Sequence, residues 1–342
     1  MMKARLFTAG LALAGITAPL HAQSSTSLSC SSQQVEARDA CQKSQDVFNF
    51  MAPQLGLAVA GGNAALGQGS TLGGLGHFAV GLRVNAVQGT IPDASKFSVS
   101  RTGAQASDLG AKDQFLGAPA LEGALGLFKG IPLGLTHVGG VDALVSASYL
   151  PEYGNGDFRV RLPDGSFKFG WGARVGILEE SMVVPGVSVT YLRRDLPTVD
   201  VLAAVNGADA AHRDTVGVSG LSVNTKAWRV VASKNLLMFG LAVGAGQDKY
   251  DSKGSAHADV AVPVAGGGVP VYTRARTQAG ALEQSLTRTN YFADLSFNLL
   301  VFRGVAEVGR VSGGDVQTLN TFGDKKADDA RTYGSLGLKF GF

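Results

Sequence analysis

The chain has 342 residues, 45% of them hydrophobic and only 17% charged, where an average soluble domain carries about 25% charged residues. Glycine supplies 47 residues and proline 11, a balance that excludes collagen and proline-rich disordered linkers. The formal net charge of +3 falls close to neutrality once Lys3 and Arg5 leave with the leader described next, so no basic field remains to attract nucleic acid.

Lys3 and Arg5 precede an apolar stretch, Leu6 to Ile16, that is too short to cross a bilayer, and Pro19-Leu20-His21-Ala22 offers a cleavage point after Ala22. Residues 1–22 therefore read as a secretory signal peptide. No later run of 18 or more apolar residues occurs, so no helical span is expected. Cys30 and Cys41 follow in the exported chain, where an oxidising periplasm favours one local disulfide over a metal pair. Residues 23–74 do not alternate. A polar stretch of helical character runs from Ser31 to Asp46, and Pro53 to Leu75 then interleaves Gly56, Gly61, Gly62, Gly67, Gly69, Gly73 and Gly74 with leucine and alanine. Such a segment is suited to a periplasmic extension or to a plug folded into a lumen.

From Leu75 onward the period changes to two. Phe78, Val80, Leu82 and Val84 oppose Gly81, Arg83 and Asn85; Phe167, Phe169, Trp171, Ala173, Val175 and Ile177 oppose Lys168, Gly170, Gly172, Arg174 and Gly176. The pattern predicts ten strands over 75–89, 113–128, 139–150, 166–178, 186–195, 217–233, 238–251, 287–298, 303–312 and 331–342. Globular strands average five or six residues, whereas a tilted membrane strand needs about nine to eleven. The expected fold is all-β: a transmembrane antiparallel up-and-down β-barrel with an N-terminal plug or periplasmic segment. Short connections (129–138, 179–185, 234–237, 299–302) alternate with long ones (90–112, 151–165, 196–216, 252–286, 313–330), as periplasmic turns and external loops do in such barrels. The longest, 252–286, contains apolar runs readable as an exposed hairpin or as further spanning strands, which would raise the count to twelve or fourteen.

Ser233 to Phe239 and Ser296 to Phe302 share Ser, Asn, Leu, Leu and Phe at matching places. Each falls at an expected periplasmic turn, with Phe239 and Phe302 in an inner aromatic girdle. The alternation also yields candidate lumen-lining charges: Arg83, Asp142, Lys168, Arg174, Arg194, Arg229, Asp294, Glu307 and Lys339. In a barrel this narrow they pair across the lumen or, left unpaired, bias a channel toward anions. Asp324, Asp328 and Asp329, interspersed with Lys325 and Lys326, read as a solvated loop rather than a calcium site. No catalytic constellation, metal motif or cofactor fingerprint is present in the sequence, so neither an enzyme nor a cofactor is expected.

The chain closes on Leu336, Leu338, Phe340 and Phe342 at alternate positions. This ending resembles the C-terminal signature of bacterial outer-membrane β-barrels, in which Phe340 and Phe342 would be read by the barrel-assembly machinery. The order of leader, glycine-rich segment, amphipathic strands and terminal phenylalanine resembles the long-chain fatty-acid transporter family. The resemblance implies a Gram-negative outer-membrane location, a lipid bilayer partner, an N-terminal plug, and passage or binding of a small hydrophobic, amphipathic or anionic molecule. The alternative expectation is a structural or interaction barrel with a closed lumen and partner-binding external loops.

Overall fold

The computed structural model of the protein describes residues 24–26, 30–155, 158–207, 211–264, 271–277 and 280–341. The expected leader, residues 1–22, and the terminal Phe342 lie outside them. Ten strands build the wall: β1 (Phe78–Pro92), β2 (Ala111–Phe128), β3 (Gly140–Tyr149), β4 (Phe167–Leu178), β5 (Gly186–Asp195), β6 (Asp214–Leu236), β7 (Phe239–Val264), β8 (Ala281–Leu299), β9 (Phe302–Val311) and β10 (Arg331–Gly341). Each pairs antiparallel with its neighbours in sequence, and β10 returns to β1 with Leu336 opposite Val84. The ring is therefore closed, with no free edge. No helix of the described residues is long and apolar enough to cross a membrane, a fact that bears only on helices.

The sheet closes this way because the sequence puts opposite chemistry on its two faces. Outward positions such as Val145, Val243, Leu295, Val308 and Leu336 are exposed and apolar, while many inward neighbours, such as Ser146, Asp294, Ser296, Glu307 and Ser335, are buried and polar. Aromatic pairs bracket this apolar belt. Near the end that carries the long connections, Trp171 lies 6.0 Å from Tyr191 and Tyr149 lies 5.0 Å from Phe167. At the short-turn end, Phe239 meets Phe297 at 5.5 Å and Phe302 meets Phe340 at 5.4 Å.

Three of the long connections prove to be partly sheet. Among the described residues, the stretch 252–286 holds no extra strand of the wall. β7 runs on to Val264, and the return begins as a short strand, Val271–Arg276, paired with β7 from Val264 to Asp259. Likewise Val199–Val205 pairs with the start of β6, and Phe158–Arg161 pairs with that strand in turn. The inward face of these extensions is apolar and buried, with Val205, Val216, Ala258 and Val260 packed with Ala40 and Phe50 of α1, while Lys253 and Glu283 are exposed on the other face. The repeated heptad forms two matching turns. Leu237 and Leu300 adopt positive φ, 55° and 54°, and Asn298 Nδ2 donates to Asn235 Oδ1 at 3.2 Å between the two copies.

The bore holds the N-terminal segment. Ser24–Thr26 pairs with Glu283–Ser285 of β8 at the long-connection end, Cys30 and Cys41 are disulfide-bonded, and helix α1 (Val35–Ala60) then descends the interior. Residues 61–77 carry the chain to the short-turn end, where β1 begins. Although α1 is buried along nearly its whole length, its buried residues include Asp39, Lys43, Gln45, Asp46, Asn49 and Gln54 as well as Phe48, Phe50 and Leu57. The apolar ones pack against wall residues such as Val216, Val218 and Val260, and the polar ones need partners. Pro53 illustrates this. Its missing N–H leaves the Asn49 carbonyl without its helical donor, and Gln284 Nε2 of β8 donates to that oxygen at 3.3 Å.

Candidate functional site

The interior of the barrel is the one place where charge, burial and irregular backbone meet. At the long-connection mouth two loops fold in over α1. Asp39 accepts from Lys43 Nζ (2.5 Å), Ser100 N (2.7 Å) and Gln105 N (3.0 Å). About two turns below, Asp46 Oδ2 accepts from the backbone and side-chain nitrogens of Asn320 at 2.8 and 2.7 Å. Phe50 stacks on Phe322 with ring centroids 4.0 Å apart. Asp328, expected in a solvated loop, is instead buried and ion-paired with Arg288 of β8. The remainder of that acidic stretch stays at the surface: Asp324 pairs with Lys325 at 3.5 Å.

The middle layer is built around the C-terminus of α1, where carbonyls lack intrahelical donors and the helix dipole is negative. Asn85 Nδ2 donates to Ala58 O at 2.8 Å, Arg229 Nη2 to Ala60 O at 3.1 Å, and Arg83 to the Gly61 and Asn63 carbonyls, the latter at 2.7 Å. The two arginines therefore cap a helix across the barrel's interior. Each also meets an acid, Arg83 with Glu122 at 3.3 Å and Arg229 with Asp248, while Glu122 is shared with Arg194.

Below the helix the roles reverse, and wall carboxylates receive the backbone N–H groups of the segment. Glu307 accepts from Asn63 N at 2.6 Å; Asp294 accepts from Asn63 Nδ2 at 2.8 Å and Gly67 N at 3.0 Å. Thr71 N donates to Glu179 at 2.9 Å and Leu72 N to Asp142 at 3.1 Å. Asp142 in turn holds Arg174 through Nε (2.9 Å) and Nη2 (2.6 Å). Gly62 has φ +83°, and a Cβ there would stand 1.7 Å from Glu307 Oε1, so only glycine lets the chain pass this carboxylate.

Arg83, Asp142, Arg174, Arg194, Arg229, Asp294 and Glu307 are thus buried in the interior network, each 5% exposed or less. Lys168 is half-buried on β4 opposite Ser148. Lys339 is half-buried on β10 directly opposite Arg303 of β9, and its Nζ donates to Gln68 Oε1 at 2.6 Å. Among the described residues no group of histidine, cysteine and carboxylate side chains is arranged to hold a metal ion. Glu122, Asp248, Arg288 and Arg303 were not singled out from the sequence. The last three occupy inward positions of the same alternation that gave the others; Glu122 lies on β2, where Pro119 and small residues blur the period.

A recess of about 220 Å³ opens at the short-turn mouth between this network and the wall. Gln68 and Leu72 of the N-terminal segment form one side; Phe78, Leu300, Phe302, Arg303 and Lys339 form the other.

No protein-family model matches the chain, and no curated protein matches it. Among solved structures, the TodX deltaS2S3 mutant monoaromatic hydrocarbon channel is similar at 9% sequence identity and a TM-score of 0.26, over 78% of this chain and 89% of that one.

Proposed function

We propose that the protein is a bacterial outer-membrane β-barrel whose bore is stoppered by its own N-terminal segment, and that it binds a small amphipathic molecule at the barrel mouth. The observation that carries the membrane half is the closed ring with an apolar outer belt between two sets of aromatic side chains, the arrangement a lipid bilayer requires of a strand-built span. The stopper reading rests on the hydrogen bonds between wall and segment from Leu57 to Leu72. Arginines take its carbonyls and carboxylates take its N–H groups, so little polar surface remains for a water column. An eight-stranded barrel is filled by side chains and a porin of sixteen is open; ten strands here enclose one helix.

The decisive experiment is conductance in a planar bilayer, comparing the full chain with a variant lacking residues 23–74. The full chain is expected to be silent and the deletion to show stepwise openings, with heat-modifiable migration confirming that both fold. Steady openings in the full chain would overturn the stopper.

A second reading, an interaction barrel, is favoured by one observation. β6, β7 and the short strand Val271–Arg276 continue beyond the belt as a small sheet with ion pairs between Arg276 and Asp259 at 3.0 Å and, from β7 to β8, between Lys253 and Glu283 at 2.9 Å. A rigid strand-built projection is a surface for a partner. Failure of the protein to bind laurate or dodecanol, with the bore still silent, would leave this second reading in place.

A further inference from the structure

The four short connections carry side chains that water does not favour. The first contains a small hairpin, Ile131–Leu133 against Thr136–Val138, and leaves Ile131, Leu133 and Leu135 exposed. The second exposes Met182 and Val183, the third Leu236, Leu237 and Met238, and the fourth Leu299 and Leu300. Leu237 and Leu300, the matching leucines of the repeated heptad, are 100% and 97% exposed. Each opens a two-residue loop, closed by the pairs Leu236–Phe239 and Leu299–Phe302, at a positive φ where glycine or asparagine is the ordinary choice. Two strained positions that suit glycine are thus filled by leucine, with the side chain held away from the protein.

Charge is withdrawn from the same end. Glu179 accepts from Thr71 N at 2.9 Å, and Glu180 from Asn235 N and Nδ2 at 2.5 and 2.7 Å. Lys234 Nζ donates to the Ser181 and Met182 carbonyls at 2.5 and 3.0 Å. Of the charged residues in 129–138, 179–185, 234–238 and 299–301, only Lys129 is exposed.

The height of the outer belt gives this surface an occupant. On β8 the outward run from Tyr291 to Phe297 rises about 15 Å at ~3.3 Å per residue and ~40° of tilt, against about 25 Å for the apolar band of an outer-membrane barrel. Around β5 to β9 the band has no room to grow toward the long connections. Arg193 and Lys226 take the outward positions next to Tyr191 and Trp228 and pair side by side, Lys249 of β7 continues that row, and Arg310 of β9 lies directly opposite Tyr291. Growth in the other direction is open, and carrying the β8 run on to Leu300 brings it to about 23 Å.

We propose that the four short turns form an apolar crown seated in the periplasmic leaflet of the outer membrane, at the boundary of headgroups and acyl chains, so that the short-turn mouth opens among phospholipid headgroups. The occupant is lipid because the crown continues the lipid-facing belt with no exposed charge between them: Leu236 and Leu299 are the ladder partners of Phe239 and Phe302. The inference rests on the membrane reading above and adds how deep the barrel sits. At that boundary the turn backbone still reaches water, as it does in interfacial segments whose apolar face is buried by about 5–10 Å. Lys129 extends its ammonium to the phosphates.

Nitroxide labels on single introduced cysteines test this in phospholipid vesicles, using the full chain, whose own two cysteines are bonded to each other. Leu133→Cys, Leu237→Cys and Leu300→Cys report the crown, Leu295→Cys the middle of the belt, and Lys253→Cys the water beyond the long connections. Depth is read from collisions with oxygen, which concentrates in lipid, relative to collisions with a water-soluble nickel chelate. The crown labels are expected to give ratios nearer to that at 295 than to that at 253. Crown labels as open to nickel as the one at 253, with the label at 295 in lipid, overturn the crown and leave the membrane reading standing. A label at 295 that is also open to nickel overturns both. Crown labels shielded from both reagents overturn lipid as the occupant in favour of a second copy of the chain. The unsubstituted protein gives a second readout through Met182 and Met238, which are exposed at the turns. Hydroxyl radicals should oxidise both severalfold more slowly in vesicles than in the urea-unfolded chain, and equal rates overturn the proposal.

Discussion

Replacing Asp142 by alanine tests the interior network where it is most committed. The carboxylate is fully buried, receives Nε and Nη2 of Arg174, and accepts from Leu72 N. Its removal leaves a guanidinium that is 1% exposed with one long contact, Nη1 to Gln68 O at 3.5 Å. Breaking a buried pair from one side costs about 3–5 kcal/mol, whereas an exposed pair is worth at most about 1 kcal/mol. The loss of the Leu72 acceptor places the expectation in the upper half of the larger range. Adding Arg174→Met removes the stranded charge and should return at least half of the loss, because an apolar pair of similar volume is tolerated where a lone charge is not. Urea unfolding from neutral-detergent micelles, followed by the emission of Trp171 and Trp228 on the outer wall, gives both numbers. A loss below about 1 kcal/mol for Asp142→Ala, or a double variant no more stable than the single one, would refute the account of the network.

Leu295→Arg puts a cation in the middle of the outer belt, where the side chain is 54% exposed. It should cost about 2–4 kcal/mol in bilayers; a cost near zero there removes the membrane reading. Gly62→Ala combines a left-handed backbone with a clash on Glu307 and should lose at least about 1–2 kcal/mol, with the loss relieved when Glu307→Ala is added. In the loop after β1, the hydrogen bond from Lys112 Nζ (2.8 Å), with the Ser95 hydroxyl, holds the Asp93 carboxyl at about 2, below its ordinary 3.8. A depressed folded value means the contact contributes fully above 3.8 and is lost as the pH falls through about 2. Lys112→Ala should move the Asp93 titration, read by carboxyl NMR, up toward its ordinary value, and an unmoved titration would show that Lys112 is not the cause.

Much of the wall was legible because a strand between an apolar and a polar medium must alternate. The pattern marked all ten strands, and the even spacing of short and long connections fixed which mouth each faces. It lost the extensions of β6 and β7, whose apolar face turns inward onto α1 instead of outward, and it read 252–286 as an exposed hairpin or as further spanning strands. Helix α1 was only half visible. Its buried residues mix Phe48, Phe50 and Leu57 with Asp39, Lys43, Asp46 and Gln54, so no single apolar stripe stands out, and Pro53 reads as a terminator unless Gln284 of a distant strand is known to replace the lost donor. The candidate charges were found by parity alone; what parity does not reveal is their partner. Arg83 and Arg229 look like lumen charges from the sequence, yet they cap a helix whose end lies beside them only in three dimensions. Arg303 and Lys339 show the same limit, since their facing is a matter of register between β9 and β10.

The direction of α1 has a consequence for how the chain is sided. An even number of strands returns both ends of the wall to the short-turn mouth, but the segment joined to β1 crosses the bore and surfaces at the opposite mouth, where Ser24–Thr26 adds a strand to β8. The first described residues and the last therefore sit on opposite faces of the ring. In an outer membrane, an epitope inserted ahead of Ser24 would be read from outside the cell and one at the end of β10 from the periplasm. The barrel is in this sense a ring closed around its own beginning, and whatever precedes α1 is carried outward.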